Sequence, residues 1–252
     1  MQALTSLAFW LRNAVPLSAP AWKALTSLER LRPELDAHRL ALLERRYPRL
    51  HDWHHHCSAQ DWRESLYVLD VLRQHLPREL PEGRALDVGS KNGTYLPGLV
   101  TALPRAWDAC ELDAHRRYAW GTTRRAYGER MASGFAGCAF HACDVRELDG
   151  PWAVVTWFLP FLTPAPLDAW GLPRGQLAPA ALLEHVLLRL VPGGALLLVN
   201  QGQAEAELQQ QLLEAHAPGW YRPLGAIESP LSPFTRARYG FLVRRPGPSP
   251  RR

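Results

Sequence analysis

Leu86-Asp87-Val88-Gly89-Ser90-Lys91-Asn92-Gly93 is the stretch on which the reading of this chain turns. A short apolar run, Arg84–Val88, ends in glycine, and helical spacing resumes at Thr94–Leu103. That is a strand, a tight loop and a helix. Gly89 permits a sharp turn and lets a ligand approach bare backbone. Gly93 stands where the helix begins, and the free N–H groups of a helix start favour a carboxylate or phosphate.

Outward from the loop, the same alternation continues. Ala106–Glu111, Ala139–Cys143, Trp152–Phe158, Ala195–Asn200 and Tyr239–Val243 read as strands. Helical patterns fall at Ala114 to about Met131, at Ala178–Val191 and at Glu205–His216. Ala195–Asn200 shows no polar alternation, as expected of a strand covered on both faces. Pro192-Gly193-Gly194 reads as a helix stop followed by a turn. The expected fold is α/β: a doubly wound, mostly parallel sheet with helices on both faces. Residues 1–80 read as a helical N-terminal extension. Leu25, Leu28, Leu31 and Leu35 recur at helical spacing, Pro33 and Pro48 break the pattern, and a further helix spans Ser65 to His75 up to Pro77. The divisions are thus 1–80 for an extension or lid, 81–245 for the sheet domain and 246–252 for a disordered tail.

Composition narrows the function. The 252 residues are 47% hydrophobic with a net charge of +5, enough to bury a core around one catalytic domain. The excess charge sits largely at the tail, in Arg236, Arg238, Arg244, Arg245, Arg251 and Arg252. It forms no run of five or six like charges, so nucleic acid is a possible partner but not the favoured one. Cys57, Cys110, Cys138 and Cys143 include no C-x-x-C pair, and a reducing compartment is the simpler reading. The first residues, MQALTSLAFWLRNAVPLSA, lack a basic start before their apolar stretch, and no segment approaches about 18 uncharged apolar residues. A cytoplasmic protein without a membrane partner is expected.

Ligands of an open parallel sheet bind outside the carboxyl ends of its strands. Three acids stand at three successive strand ends: Asp87, Glu111 (24 positions later) and Asp144 in Cys143-Asp144-Val145. An acid about 20 positions beyond a glycine loop is placed to accept hydrogen bonds from ribose hydroxyls. At the third strand end, Asp144 can receive the exocyclic amine of an adenine, with apolar neighbours such as Val145 against the ring. A nicotinamide-binding loop would need G-x-G-x-x-G, which GSKNGT does not supply.

From about Arg84 to Val243 the chain resembles the class I S-adenosylmethionine-dependent methyltransferases. LDVGSKNG resembles the family's first motif, CELDAHRRY its ribose-binding acid and HACDVREL its adenine-binding acid. LLRLVPGGALLLVNQG is similar to its helix, Pro-Gly-Gly turn and fifth strand. The resemblance implies a seven-stranded sheet, with Tyr239–Val243 as an antiparallel last strand beside the fifth. It implies S-adenosyl-L-methionine as cofactor. Gly89, Ser90 and Gly93 would line the methionine portion, and Asp87 would support the loop and reach the cofactor's amino group through water. Lys91 departs from the pattern, since the family usually has glycine there. A side chain at that position narrows the loop or points to solvent, and it places a cation near a cofactor whose sulfonium is positive.

Catalysis leaves fewer marks, because an in-line methyl transfer depends mainly on positioning and needs no obligatory base. Val155-Thr156-Trp157-Phe158-Leu159-Pro160-Phe161 closes the fourth strand without the Asn/Asp-Pro-Pro-aromatic tetrad of amino-methylating nucleic-acid enzymes. Trp157 and Phe158 read as an acceptor wall, a shield for the sulfonium, or core aromatics. His51-Asp52-Trp53-His54-His55-His56-Cys57 reads three ways: zinc ligands, a lid carrying a general base such as His54 or His55, or a solvated helix boundary. No metal is assigned. Together with Tyr67, this segment is expected over the cofactor cleft. Arg116, Arg117 and Tyr118 are expected on a solvated helix face, His141 as a packed or polar-capped residue, and the arginines of 232–239 as exposed or holding an acceptor anion. The activity expected is methylation of a small molecule, with RNA or protein methylation, or cofactor binding without turnover, as alternatives.

Overall fold

The computed structural model describes residue 32 and residues 35–247. The expected helical positions Leu25, Leu28 and Leu31, the break at Pro33 and the end of the tail lie outside the described residues. Seven strands form one sheet: β1 (Ala85–Val88), β2 (Trp107–Cys110), β3 (Ala139–His141), β4 (Trp152–Phe158), β5 (Leu190–Gln201), β6 (Tyr221–Ala226) and β7 (Arg238–Arg244). Their order is β3-β2-β1-β4-β5-β7-β6. The sheet is mixed. The pairs from β3 to β5 are parallel, whereas β7 lies antiparallel between β5 and β6. Strand order reverses between β1 and β4, the place where α/β sheets open a crevice.

Alternation along β4 shows why its sequence is apolar throughout. Val154 and Phe158 join one buried cluster with Leu66, Leu69, Leu96, Leu99 and Met131, while Val155 and Trp157 join another with Leu183, Val186 and Leu213. Helices α1 (Ala37–Arg46), α2 (Ala59–His75), α3 (Leu96–Ala102) and α4 (Arg124–Ser133) supply the first cluster. The second is covered by α6 (Pro179–Arg189) and α7 (Gln203–His216), which follow the short α5 (Pro164–Ala169). Each such leucine, fully buried, contributes about 1.5–3 kcal/mol.

Helix α2 begins at Ala59, earlier than the Ser65 expected. A capping box starts it: Asp61 N–H donates to Ser58 Oγ and Ser58 N–H to Asp61 Oδ2 (3.2 and 3.0 Å). The helix expected over 114–131 is confined to Arg124–Ser133. Before it, Arg117 and Thr123 form an isolated antiparallel bridge around Gly121, whose φ is +99°. Tyr118 is buried there and stacks on Trp120 at 5.1 Å. Arg116, Arg117 and Tyr118 therefore belong to a folded turn and not to a helix face. Pro192-Gly193-Gly194 is likewise no free turn: Trp152 pairs with Leu190 and Val154 with Ala195, so the intervening residues bulge within β5. The Gly193 and Arg245 N–H groups close this bulge onto Arg245 O and Gly194 O (2.9 and 3.0 Å).

Candidate functional site

At the carboxyl ends of β1, β2 and β4 a cavity of about 560 Å³ opens, within the range of small-molecule sites. Gly89, Glu111, Asp144, Val145 and Trp157 line it. Gly89 makes the turn out of β1 with φ +69°. Ser90 is fully buried behind the wall, where its N–H and hydroxyl both donate to Cys110 O (3.0 and 3.3 Å). Gly93, at φ +73°, has Leu96 and Met131 within 3.4 Å of where a Cβ would sit. Ser90 and Gly93 thus shape the loop from behind, and neither is on the cavity wall.

Asp87 is also behind the wall and fully buried. Its Oδ1 accepts from Thr156 Oγ1 at 2.7 Å, tying β1 to β4, while its Oδ2 has no partner. Burial pushes its carboxyl up to about 7 against the lowering effect of Thr156, and nearby Glu111 adds to the rise. Glu111 accepts from Lys91 N–H (2.8 Å) and Asp113 N–H (2.7 Å), one on each oxygen. The acid of β2 is thereby locked to the loop after β1. Burial raises its carboxyl, opposed by Arg124 and those amides. Arg124 itself is held by Asp113 at 2.7 Å in a pair that is 5% and 2% exposed.

Asp144 caps the 3-10 turn Val145–Glu147 and accepts from Arg146 N–H, Nε and Nη2 (2.9, 3.0 and 2.7 Å). Burial would raise this carboxyl, but the Arg146 hydrogen bonds hold it below the usual carboxylate range.

Lys91 stands on the wall with φ +59°. It does glycine's backbone work without being glycine. Its Nζ reaches toward α2, 3.7 Å from Glu64 Oε1. Leu159, after β4, is the other non-glycine residue with positive φ (+59°) among the described residues, and it too lines the cavity. Strained backbone thus gathers at this one place, as it commonly does at functional sites.

The remaining wall is apolar and aromatic. Tyr95 and Phe158 lie 5.1 Å apart, and Phe161 and Trp170 5.6 Å apart. Burial, with Glu64 next in effect, pushes the Tyr95 phenol well above its ordinary value. It therefore stays protonated and is a donor, not a base. Phe234 and Arg236 close the rim. Arg238, by contrast, is buried over the Phe234 ring and donates to Gln201 Oε1 (3.1 Å).

The histidine segment lies elsewhere. The 3-10 turn Pro48–His55 packs on α3 through Trp53 Nε1–H donating to Thr101 Oγ1 at 3.0 Å, and His56 meets the Phe135 ring at 5.5 Å. Trp53 and His56 line a second hollow together with Arg105 and Gly134. The side chains of His54 and His55 lie outside the described residues. Of the N-terminal elements it is α2 that walls the cavity, with Gln60 and Glu64. Tyr67 is packed beneath, edge-on to Phe158 and Phe234. His141 pairs with Asp108 at 2.9 Å on β2, away from the cavity. Among the described residues no group of His, Cys, Asp and Glu could hold a metal ion, and no helix is long and apolar enough to cross a membrane.

Sequence reasoning missed Glu64 and Tyr95. Glu64 sits in a helix whose apolar spacing speaks only of packing. Tyr95, two residues past Gly93, was legible as a neighbour of the loop.

No protein-family model and no curated protein sequence matches the chain. Among solved structures, it is similar to the N-methyltransferase NodS from Bradyrhizobium japonicum WM9. The TM-score is 0.50 at 11% identity, covering 73% of this chain and 97% of that one. A SAM-dependent methyltransferase from Aquifex aeolicus gives 0.49 at 16% identity, covering 72% and 92%. The fold is that of the class I methyltransferases.

Proposed function

We propose that this protein is a cytoplasmic enzyme that transfers a methyl group from S-adenosylmethionine to a small-molecule acceptor. The observation that carries the reading is the cavity at the strand-order reversal, with a buried acid of β2 clasped to the glycine turn of β1. The donor set suits a nucleoside with an amino-acid arm. Glu111 keeps a free lone pair on each oxygen for ribose hydroxyls, and Asp144 and Val145 stand at the third strand end for the adenine. The partnerless Asp87 Oδ2 lies beneath the loop. Bound there, the cofactor supplies an electrophilic methyl on a sulfonium.

This chain's residues then have positioning roles. Trp157, Phe158 and Tyr95 line the cavity, where aromatic rings exclude water and can shield a cation. The Tyr95 hydroxyl orients an acceptor as a donor. Enclosure by aromatic walls favours a small acceptor over RNA or a protein side chain.

The test is transfer of radiolabelled methyl to separated small-molecule, RNA and protein fractions, preceded by thermal shift with S-adenosylhomocysteine. Label in the small-molecule fraction alone is expected. Ligand at 100 times Kd should add about 2.7 kcal/mol of stability, or roughly 5–10 °C for a chain of this size. Absence of any shift at millimolar ligand would sink the cofactor assignment, and label confined to RNA or protein would overturn the acceptor class.

A further inference from the structure

Two ionic side chains on the cavity wall, Glu64 and Lys91, have no part in the cofactor contacts proposed above. Glu64 is buried, with 7% of its side chain exposed, and Lys91 is two-thirds buried, with 32% exposed. They face each other at 3.7 Å, too far for a hydrogen bond. Gln60 Nε2 donates to Glu64 Oε1 at 2.7 Å. Among the described residues, Glu64 Oε2 and the Lys91 ammonium have no hydrogen-bond partner. Both residues line the cavity, so their charged ends are available to a ligand carrying the opposite charges.

Their place relative to Glu111 says what could satisfy them. Lys91 N–H is bound to the Glu111 carboxylate, so the Lys91 side chain leaves the loop next to the group suited to a ribose. A nucleoside whose sugar lies on Glu111 and whose base lies toward Asp144 sends its 5′ substituent the other way, past Gly89 toward α2. In a sulfonium nucleoside that substituent ends in an α-ammonium and an α-carboxylate on one carbon.

We propose that Lys91 and Glu64 form a clamp for that zwitterion, Lys91 receiving the carboxylate and Glu64 the ammonium. The inference rests on the cofactor reading above. It also gives the lysine in the glycine loop a function. Its strained backbone keeps the loop's shape, and its side chain adds a cation directed to α2. Both residues position the cofactor and neither is assigned a chemical step.

Calorimetry with three ligands tests this: S-adenosylhomocysteine, its decarboxylated analogue, and methylthioadenosine, which lacks the amino-acid arm. Lys91→Met keeps the side-chain length and the same backbone demand. Charge-assisted hydrogen bonds of this kind correspond to roughly tenfold to hundredfold in affinity. Lys91→Met and Glu64→Gln should each weaken S-adenosylhomocysteine by that factor and leave methylthioadenosine within twofold. The decarboxylated analogue should bind Lys91→Met as well as it binds the wild type.

Equal weakening of methylthioadenosine would reduce the pair to a structural tether and overturn the clamp, as would undiminished S-adenosylhomocysteine binding in either variant. Should a variant fail to fold, the wild type alone decides: it must bind S-adenosylhomocysteine at least tenfold more tightly than methylthioadenosine. A wild type that binds neither nucleoside defeats the cofactor reading itself, whereas one that binds both equally defeats only the clamp.

Discussion

Asp87 shows how a single buried acid links the site to stability. Its folded-state pKa, about 7, lies above its ordinary value of 3.8 because burial penalises the charge. An acid raised in this way stabilises the fold least when ionised. The contribution of Asp87 to stability is full below about pH 3.8, falls as pH rises from there, and levels off above about 7. Asp87→Asn keeps an acceptor for Thr156 without a charge. It should be more stable than wild type by about 2–4 kcal/mol at pH 8, the difference shrinking toward pH 4. Urea unfolding at the two pH values reads this directly, and a pH-independent difference would contradict it. Lys91 makes the complementary case. Lys91→Gly removes a left-handed lysine, and should stabilise the ligand-free chain by about 0.5–1 kcal/mol after glycine's own entropy is counted. A loss of stability in the urea midpoint would show that the Glu64 pair outweighs the strain. The acids at the strand ends were legible in the sequence because strand ends and glycine turns are local features. Glu64 was not, because nothing local reveals which face of a helix will meet a loop 27 positions away.

Helices α2 and α3 dock closely enough that glycine is required at their contact. A Cβ on Gly98 would run into the Ser65 carbonyl oxygen, and Ser65 Oγ donates to Thr94 O at 2.7 Å just above. Asp61, one turn earlier, accepts from Thr94 Oγ1 at 3.1 Å and from the Tyr127 hydroxyl. Gly98→Ala should therefore cost about 1–3 kcal/mol. It should also displace Glu64 from the cavity, so that S-adenosylhomocysteine binds more weakly while methylthioadenosine is spared. Thermal melts and the same calorimetry check both parts. Element boundaries were legible where apolar periodicity is strong, as in β4 and α7, whereas β5 begins five residues before the Ala195 expected. They were lost where side-chain and turn chemistry decide. The Ser58–Asp61 box starts α2 early, the bridge at Arg117 and Thr123 replaces helix, and β6 escaped notice because Tyr221–Ala226 is largely exposed and lacks an alternating apolar face.

At the scale of the molecule, the doubly wound sheet followed from the order of apolar runs, whereas the placement of the N-terminal segment did not. The histidine-rich turn packs against α3 and away from the strand ends, a question of tertiary docking that spacing cannot answer. The whole sheet also depends on its last strand. β7 is hydrogen-bonded on both sides, to β5 and to β6, and brings Phe241 and Val243 into the core. A chain ending at Pro230, before β7, should lack the cooperative melt of the intact chain and be digested rapidly by protease. A cooperative melt in that truncation would show that the rest of the sheet closes without it. The position of β7 also sets an order of events during synthesis. β5 and β6 leave the ribosome first and have no partner for the edges they will share with β7. Only when residues 238–244 emerge can those two open edges be sealed, so this half of the sheet closes from both flanks inward onto a strand made after either of them.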